Sequence, residues 1–357
     1  MSKKPLILGI ESSCDETAAS LVTENHEGKP IVLSNIVSSQ IEIHKEYGGV
    51  VPELAARSHV EKIDWIVKKA IDESEKKIDE IDAVASTAGP GLVVCLSVGL
   101  SFGKALAKSL DKPFIAVNHL EGHALSPKIS SQLNYPYLLL LISGGHSQFL
   151  NVINFGKYKR LGTTIDDALG EAFDKIAKLL GIEFPGGPQI EVLAQKGDPN
   201  KFDLPKPILN KGGCNLSFAG LKTAVLKISK NIKNEQDRFD LAASFQKTIE
   251  QILYKKTKIA FDEYEKHSNL KKKVLVVAGG VAANKNIRSM LKNLCSNEDY
   301  ECVFPPIELC GDNAAMIALV GLEKYKLKKF DKLDFPAKPR WALDEAAIFL
   351  KGAGVKL

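Results

Sequence analysis

Short apolar runs broken by compact polar turns set the pattern of the first half of the chain. Residues 6–10 are apolar, residues 11–17 (ESSCDET) are polar, and residues 18–22 are apolar again. This predicts a buried strand, a tight turn and a returning strand. A third strand follows at 31–37. Pro52 then opens a helix, a position that suits proline, with Leu54, Val60, Ile63, Ile66, Val67 and Ile71 near helical spacing. Residues 81–86 predict a strand, Ala88-Gly89-Pro90-Gly91 a turn, 92–110 a mostly apolar helix, and 114–117 a short strand.

The pattern recurs later. Residues 137–142 are an apolar run, 143–147 (SGGHS) a polar turn, and 148–153 a returning strand. Residues 274–278 predict a strand, Gly279-Gly280 a turn, and the chain from Ala282 a helix. Two related α/β halves facing a cleft are the economical reading. Between the repeated parts, residues 155–270 read as helical and irregular. A helix over 166–181 ends in glycine, 185–188 (PGGP) breaks the chain, and 189–195 restarts it. Further helices are predicted at 219–230 and 236–267, with a polar, proline-containing loop over 201–213. The expected domains are therefore 1–135, then 136–340 carrying a helical insertion at about 155–270, then a tail over 341–357 to which no function is assigned.

Composition narrows the class. The chain has 357 residues, 45% hydrophobic and 25% charged, a globular balance that excludes disorder, collagen and coiled coil. Its +5 net charge, from 48 Lys+Arg against 43 Asp+Glu, tolerates an anionic partner without demanding one. Six scattered cysteines without a CxxC give neither a disulfide framework nor a zinc-finger spacing, so a reducing compartment is expected. The early apolar run stops at Glu11, too short for a signal core, and no stretch approaches the ~20 residues that span a bilayer. A cytoplasmic protein without a membrane anchor is expected.

Several groups offer chemistry. In 118–123 (NHLEGH), His119 and His123 are four apart and so share one helix face, within reach of one metal ion. The alternative is a histidine pair without metal. The zinc-protease pattern HExxH is not met, because Leu120 follows the first histidine and Glu121 points elsewhere; peptide hydrolysis is set aside. Asp312, at the start of a predicted helix, is a candidate third ligand or an ordinary N-cap. Two histidines and one carboxylate suit iron(II), with zinc the main alternative. Ser143-Gly144-Gly145-His146 is a hairpin turn or an anion cradle of main-chain amides. The segment 279–284 (GGVAAN) has the strand–glycine–helix order that suits a nucleotide, without GxGxxG or a P-loop lysine. Asp166, Asp167, Glu171 and Asp174 lie on the predicted helix 166–181, the last three on one face, where a carboxylate could meet ribose hydroxyls. The loop 44–53 reads as a closing segment or a plain connection. The lysine clusters 271–273 and 326–329 read as solvated ends, with a phosphate role the minority alternative.

Together these segments resemble one family. GIESSCDET (9–17), residues 44–59, NHLEGH (118–123), SGGH (143–146), GEAFDK (170–175), PGGP (185–188), SFAGLKT (217–223), GGVAAN (279–284) and GDN (311–313) match it in order, over about 6–339. The chain is thereby identified as a member of the TsaD family of tRNA threonylcarbamoyladenosine transferases. The resemblance implies a duplicated actin-like, Hsp70-like (ASKHA) two-domain fold. It implies transfer of threonylcarbamoyl from threonylcarbamoyl-AMP to the exocyclic amine of the adenosine beside the anticodon, in tRNAs reading codons that begin with A. It implies one Fe(2+) per subunit on His119, His123 and Asp312, with zinc the alternative. Leu141, Ile142, Ser143, Gly144 and Gly145 match the segment holding the donor's phosphate region. Asp174, Gly187, Glu191 and Asn284 match positions holding the nucleotide; many relatives have Asp where this chain has Glu191. A TsaB-like pseudo-enzyme, a TsaE-like ATPase and a TsaC-like synthetase are the implied protein partners. No general base is assigned. Competing readings are a non-catalytic actin-like nucleotide-binding protein and, more remotely, a metalloprotease.

Overall fold

Ten strands and ten α-helices are found in the computed structural model, which describes residues 4–267 and 272–348. In chain order, the first part carries β1 (Ile7–Glu11), β2 (Glu16–Glu24), β3 (Pro30–Ser39), α1 (Ile41–Lys45), α2 (Pro52–Glu73), β4 (Ala83–Gly89), α3 (Val93–Ser109), β5 (Phe114–Asn118) and α4 (His119–Leu125). The second carries β6 (Tyr137–Ile142), β7 (Ser147–Asn154), β8 (Lys157–Thr163), α5 (Leu169–Leu179), α6 (Gly186–Ala194), α7 (Ala219–Ser229), α8 (Glu235–Glu265), β9 (Val274–Ala278), α9 (Lys285–Asn297) and β10 (Glu301–Val303). The last helix is α10 (Ala314–Lys326).

The described residues fall into two units, 4–133 with 305–345, and 134–304 with 346–348. The first unit's sheet has the order β3-β2-β1-β4-β5. β2 is antiparallel to both β1 and β3, while β4 is parallel to both β1 and β5. The second unit's sheet repeats this as β10-β9-β6-β7-β8, read in reverse. There β7 is antiparallel to β6 and β8, and β9 is parallel to β6 and β10. The duplication expected from the apolar runs is thus a duplication of strand order and sense. In each unit the central strand is buried along its whole length, as β1 and β6 both show.

The segment expected to close the second domain returns to the first unit. α10 lies across β1, and a Cβ on Gly9 would stand 2.5 Å from both Ala314 O and Ala318 N. Only a glycine strand position lets the helix backbone approach that closely. Ala315 to Leu322 are all buried, so this apolar helix needs a sheet face, and the face it covers is the first unit's. The limit expected at 135/136 falls within two residues of the observed one, whereas residues 305–340, expected in the second domain, belong to the first unit for that reason. Trp341, in the expected tail, packs on the first unit's core.

Other differences have local causes. β8 (KYKRLGT) lies inside the expected helical insertion; it is an edge strand whose lysines face water, so it shows no apolar alternation. β10 has three residues, too few for a pattern. In α2 the buried stripe is Ile63, Ile66, Val67 and Ala70, whereas Val60 is 64% exposed and belongs to the solvent face. The predicted helix 166–181 starts only at Leu169. Asp166 and Asp167 precede it, so the acidic residues do not form one helical face. No helix among the described residues is long and apolar enough to cross a membrane.

Candidate metal and nucleotide sites

In the first unit, β5 runs directly into α4, and the junction is held by Asn118. Its Oδ1 accepts from Leu120 N at 2.9 Å, capping the helix, and its Nδ2 donates to Trp341 O at 3.0 Å. The cap fixes the first turn of a seven-residue helix in which every residue is buried. His119 and His123 therefore project from one face, with ring centroids 4.7 Å apart and planes at 86°. Asp312 meets them from the loop before α10. Its Oδ1 lies 3.1 Å from His123 Nε2 and 3.4 Å from His119 Nε2. The helix N-cap is the next residue, Asn313, whose Oδ1 accepts from Met316 N at 3.1 Å. Asp312 is thus free of the capping duty that its sequence position suggested.

A residue left uncommitted by sequence reasoning completes the arrangement. Glu11, at the end of β1, is fully buried, and its Oε2 accepts from Thr87 Oγ1 at 2.7 Å. Its Oε1 accepts from Ser13 N at 2.5 Å. The same Oε2 lies 3.0 Å from His119 Nδ1. A buried carboxylate there holds the proton on Nδ1 and leaves Nε2 to face Asp312, the carboxylate–histidine relation of outer-shell residues at metal sites. Nothing in the spacing of GIESSCDET announces this pairing, which depends on β1 and β5 ending at the same edge of the sheet.

The electrostatics favour a cation. Burial works to raise the Glu11 and Asp312 carboxyls, yet the charge and hydrogen bonds of His119 hold both below their ordinary values. Burial works to lower His119, and Asp312 and Glu11 together push it well above 6.5. Glu16 is pushed up by burial and then by the charges of Asp312 and Asp15. Beyond burial, the rise at Glu16 reflects a negative potential set up by carboxyl groups around one histidine charge, which a divalent ion would relieve. His119, His123 and Asp312 each offer one donor atom within 4.8 Å of the others, and the group could hold a metal ion. His123 Nδ1 is buried without a hydrogen-bond partner among the described residues, so its Nε2 is the ring atom that faces the other two donors. Two imidazoles and one carboxylate fit iron(II) or zinc.

Glu11→Gln is expected to lower metal affinity by about 10–100-fold while preserving the fold. The amide keeps the shape but loses the negative charge, and its NH2 faces either the Ser13 N–H or the Thr87 and His119 side, so His119 loses the carboxylate that orients it. Metal titration of the purified variant checks this; affinity equal to wild type would sink the assigned role.

In the second unit, residues 141–145 and Asn284 lie at or just after the carboxyl ends of two adjacent parallel strands, β6 and β9, while Asp174 lies on α5 and Gly187 and Glu191 on α6. Leu141 and Ile142 are buried in β6; Gly144 and Gly145 are exposed in the turn after it. Ser143 N donates to His146 O at 2.8 Å, and His146 N donates to Ser143 Oγ at 3.1 Å, closing the turn. Gly279 ends β9 with φ 95° and ψ 166°, and a Cβ there would stand 2.4 Å from Ile142 O. The first unit repeats the approach, since a Cβ on Gly91 would stand 2.6 Å from Ser13 O. At Gly144 and Gly145, by contrast, an added Cβ would meet nothing within 4 Å, so their main chain is open to a ligand.

Other sequence-derived residues have evident local duties. Asp174 Oδ1 accepts from Gly186 N at 2.8 Å, tying α5 to the start of α6. Gly187, next in α6, is half-buried, and a Cβ there would stand 3.9 Å from Phe173 Cβ. Glu191 Oε1 accepts from Lys285 N at 2.8 Å. Asn284 caps α9 through Ile287 N at 3.0 Å and donates to Gln246 Oε1 at 3.0 Å. Asp166 binds the SFAGLKT segment, with Oδ1 accepting from Phe218 N at 2.8 Å. Asp167 and Glu171 both pair with Lys175, at 2.6 and 3.0 Å. His44 and His59 are buried in the first unit; His59 Nε2 lies 3.0 Å from Cys14 O and its Nδ1 2.8 Å from Thr17 Oγ1. The loop 44–53 is anchored at its histidine end, which lies on α1, by Val51 N donating to His44 Nδ1 at 3.3 Å.

Fold and centre together define an actin-like (ASKHA) α/β protein with a duplicated sheet and a His–His–carboxylate group. A solved structure of T. kodakarensis HypF superposes with a TM-score of 0.61 at 15% identity, covering 92% of this chain and 48% of that one, a likeness of fold. A family model described as TsaD, tRNA N6-adenosine threonylcarbamoyltransferase, matches residues 31–319. A protein of that name from Pelagibacter ubique (strain HTCC1062) is 75% identical over 357 residues, covering 100% of both chains. Its namesake from Rickettsia massiliae (strain Mtu5) is 53% identical over 342 residues, 95% of this chain and 98% of its own. The chain belongs to the TsaD family of tRNA N6-adenosine threonylcarbamoyltransferases.

Proposed function

We propose that this transferase moves the threonylcarbamoyl group of threonylcarbamoyl-AMP onto N6 of the adenosine beside the anticodon, in tRNAs reading codons that begin with A. The single observation carrying the reading, beyond family membership, is the convergence of His119, His123 and Asp312, backed by Glu11. In the reaction the N6 amine attacks the carbamoyl carbon, the carbon–oxygen bond to the phosphate breaks, AMP leaves and the amine gives up a proton. A divalent ion on the three ligands, iron(II) with zinc as alternative, supplies charge to the donor's carbonyl or phosphate oxygen. Residues of the chain do the rest. Glu11, and Ser13 whose Oγ lies 3.2 Å from His119 Nδ1, set the orientation of His119. The open amides of Gly144 and Gly145 bind the phosphate, and Leu141, Ile142 and Ser143 hold that turn in place. Asp174, Gly187, Glu191 and Asn284 line the nucleotide. A TsaB-like pseudo-enzyme and a TsaE-like ATPase assist, a TsaC-like synthetase makes the donor, and the reaction takes place in the cytoplasm.

The test is nucleoside mass spectrometry of bulk tRNA after depletion of the protein, with rescue by wild type, His119→Ala and Asp312→Ala. Threonylcarbamoyladenosine is expected to fall on depletion and return only with wild type. Rescue by both variants would remove the metal assignment. A full level of the nucleoside after depletion, in a cell with no second copy, would remove the transfer reading.

A further inference from the structure

The insertion between β8 and β9 carries a charge balance unlike the rest of the chain. Residues 196–233 hold eight lysines against two aspartates, a balance of +6, whereas the whole chain sums to +5. Everything outside this segment therefore sums to −1. Lys196, Lys201, Lys211, Lys222, Lys227, Lys230 and Lys233 are exposed, and Lys206 is half-buried. In α7, Leu221 and Val225 are buried while Lys222, Thr223, Lys227 and Lys230 are exposed. Lys201 and Lys233 line one surface cavity of about 350 Å³ with Phe202, Ile228 and Asn231. The loop after α6 and the end of α7 thus present their charges side by side.

Few carboxylates counter these charges, although Asp240 feels the charge of Lys201. Asp203 approaches Lys206 only to 3.9 Å. Asp198 turns its carboxylate to its own loop, accepting from Asn200 N at 2.8 Å. Asp237, on the cavity wall, accepts from Lys233 N at 3.1 Å. In the lysine clusters singled out elsewhere, Lys272 pairs with Glu301, Lys273 with Glu265 and Lys326 with Glu24. (Lys271 lies outside the described residues.)

We propose that Lys201, Lys227, Lys230 and Lys233, around the end of α7, bind the sugar–phosphate backbone of the tRNA substrate, positioning it without reading its sequence. The proposal rests on the transferase reading above. Nucleic acid is favoured over an acidic protein because protein interfaces are depleted in lysine and enriched in arginine and aromatic residues. Unpaired lysines act as point charges that release counterions from phosphates.

The experiment measures tRNA binding to the full chain by fluorescence anisotropy from 50 to 300 mM salt. It compares wild type with Lys201→Ala/Lys227→Ala/Lys230→Ala/Lys233→Ala and with a charge-matched control, Lys68→Ala/Lys77→Ala/Lys108→Ala/Lys329→Ala. The face variant is expected to bind roughly tenfold or more weakly, with a slope of log affinity against log salt shallower by about 3. The control is expected to keep the wild-type slope. A face variant with the wild-type slope assigns these lysines to solvent or a protein partner and overturns the proposal, as does a control that loses as much. The nucleoside measurement judges the transfer reading separately: loss of threonylcarbamoyladenosine on depletion with an unchanged salt slope overturns the surface alone.

Discussion

Asp312→Ala is expected to weaken iron(II) or zinc binding by roughly a hundredfold or more, since loss of even an outer-shell partner costs 10–100-fold. Asp312 is the anionic member of the donor set, and both Nε2 atoms face its Oδ1, at 3.1 and 3.4 Å. Its removal leaves two neutral donors beside the buried, already engaged Glu11. The fold is expected to persist, because Asn313 rather than Asp312 caps α10. Circular dichroism and anaerobic metal titration separate the two effects. Affinity within threefold of wild type would remove Asp312 from the site.

The same prediction has a pH signature. In the cation-free chain burial works to lower His119, but Asp312 and Glu11 outweigh it and raise it well above 6.5, which favours a proton on the ring in competition with the ion. Binding displaces that proton. Affinity therefore rises with pH above 6.5 until the raised value is passed, with about one proton released per ion. Calorimetry in buffers of different ionisation enthalpy reads this directly. Stability of the cation-free chain runs the other way. The contribution of His119 is complete below 6.5 and is lost as pH rises through its raised value. Those of Glu11 and Asp312, both lowered, are present above 4.5 and 3.8 and are lost as pH falls through their folded values.

The parts of this chain legible in the sequence are those whose physics is local. Apolar runs at 137–142 and 274–278 match β6 and β9 residue for residue, because fully buried central strands leave an unmixed signature. The spacing of His119 and His123 is a one-turn property of α4 and needed no tertiary knowledge. What escaped is either exposed or long-range. β8 hides behind its lysines, and β10 is too short to repeat. Glu11 acquires its meaning from a residue 108 positions away. Asp312 was separable from a helix cap only by seeing Asn313 take that role. The return of α10 to the first unit depends on Gly9, whose missing side chain is silent in a strand pattern.

Gly279→Ala is expected to destabilise the chain by about 2–5 kcal/mol, combining backbone strain with overpacking. At φ 95° and ψ 166° the residue occupies a region essentially reserved for glycine. Its Cβ would also stand 2.4 Å from Ile142 O and 2.8 Å from Ile142 C, main-chain atoms that cannot rotate aside. Relief requires β9 to part from β6 where the two strands pair as far as Leu141 and Ala278, so the turn over 143–146 and the core of the second unit fail together. Gly144→Ala isolates the turn from the core. Its Cβ meets nothing within 4 Å, so the urea midpoint is expected to stay near wild type, within ~0.5 kcal/mol. AMP binding is expected to fall, because the methyl occupies the open side of the turn. Urea unfolding of both variants, followed by AMP titration, distinguishes the two roles. A Gly279→Ala chain with the wild-type midpoint would show that the close approach to Ile142 is not fixed, and an undiminished AMP affinity in Gly144→Ala would take the phosphate away from this turn.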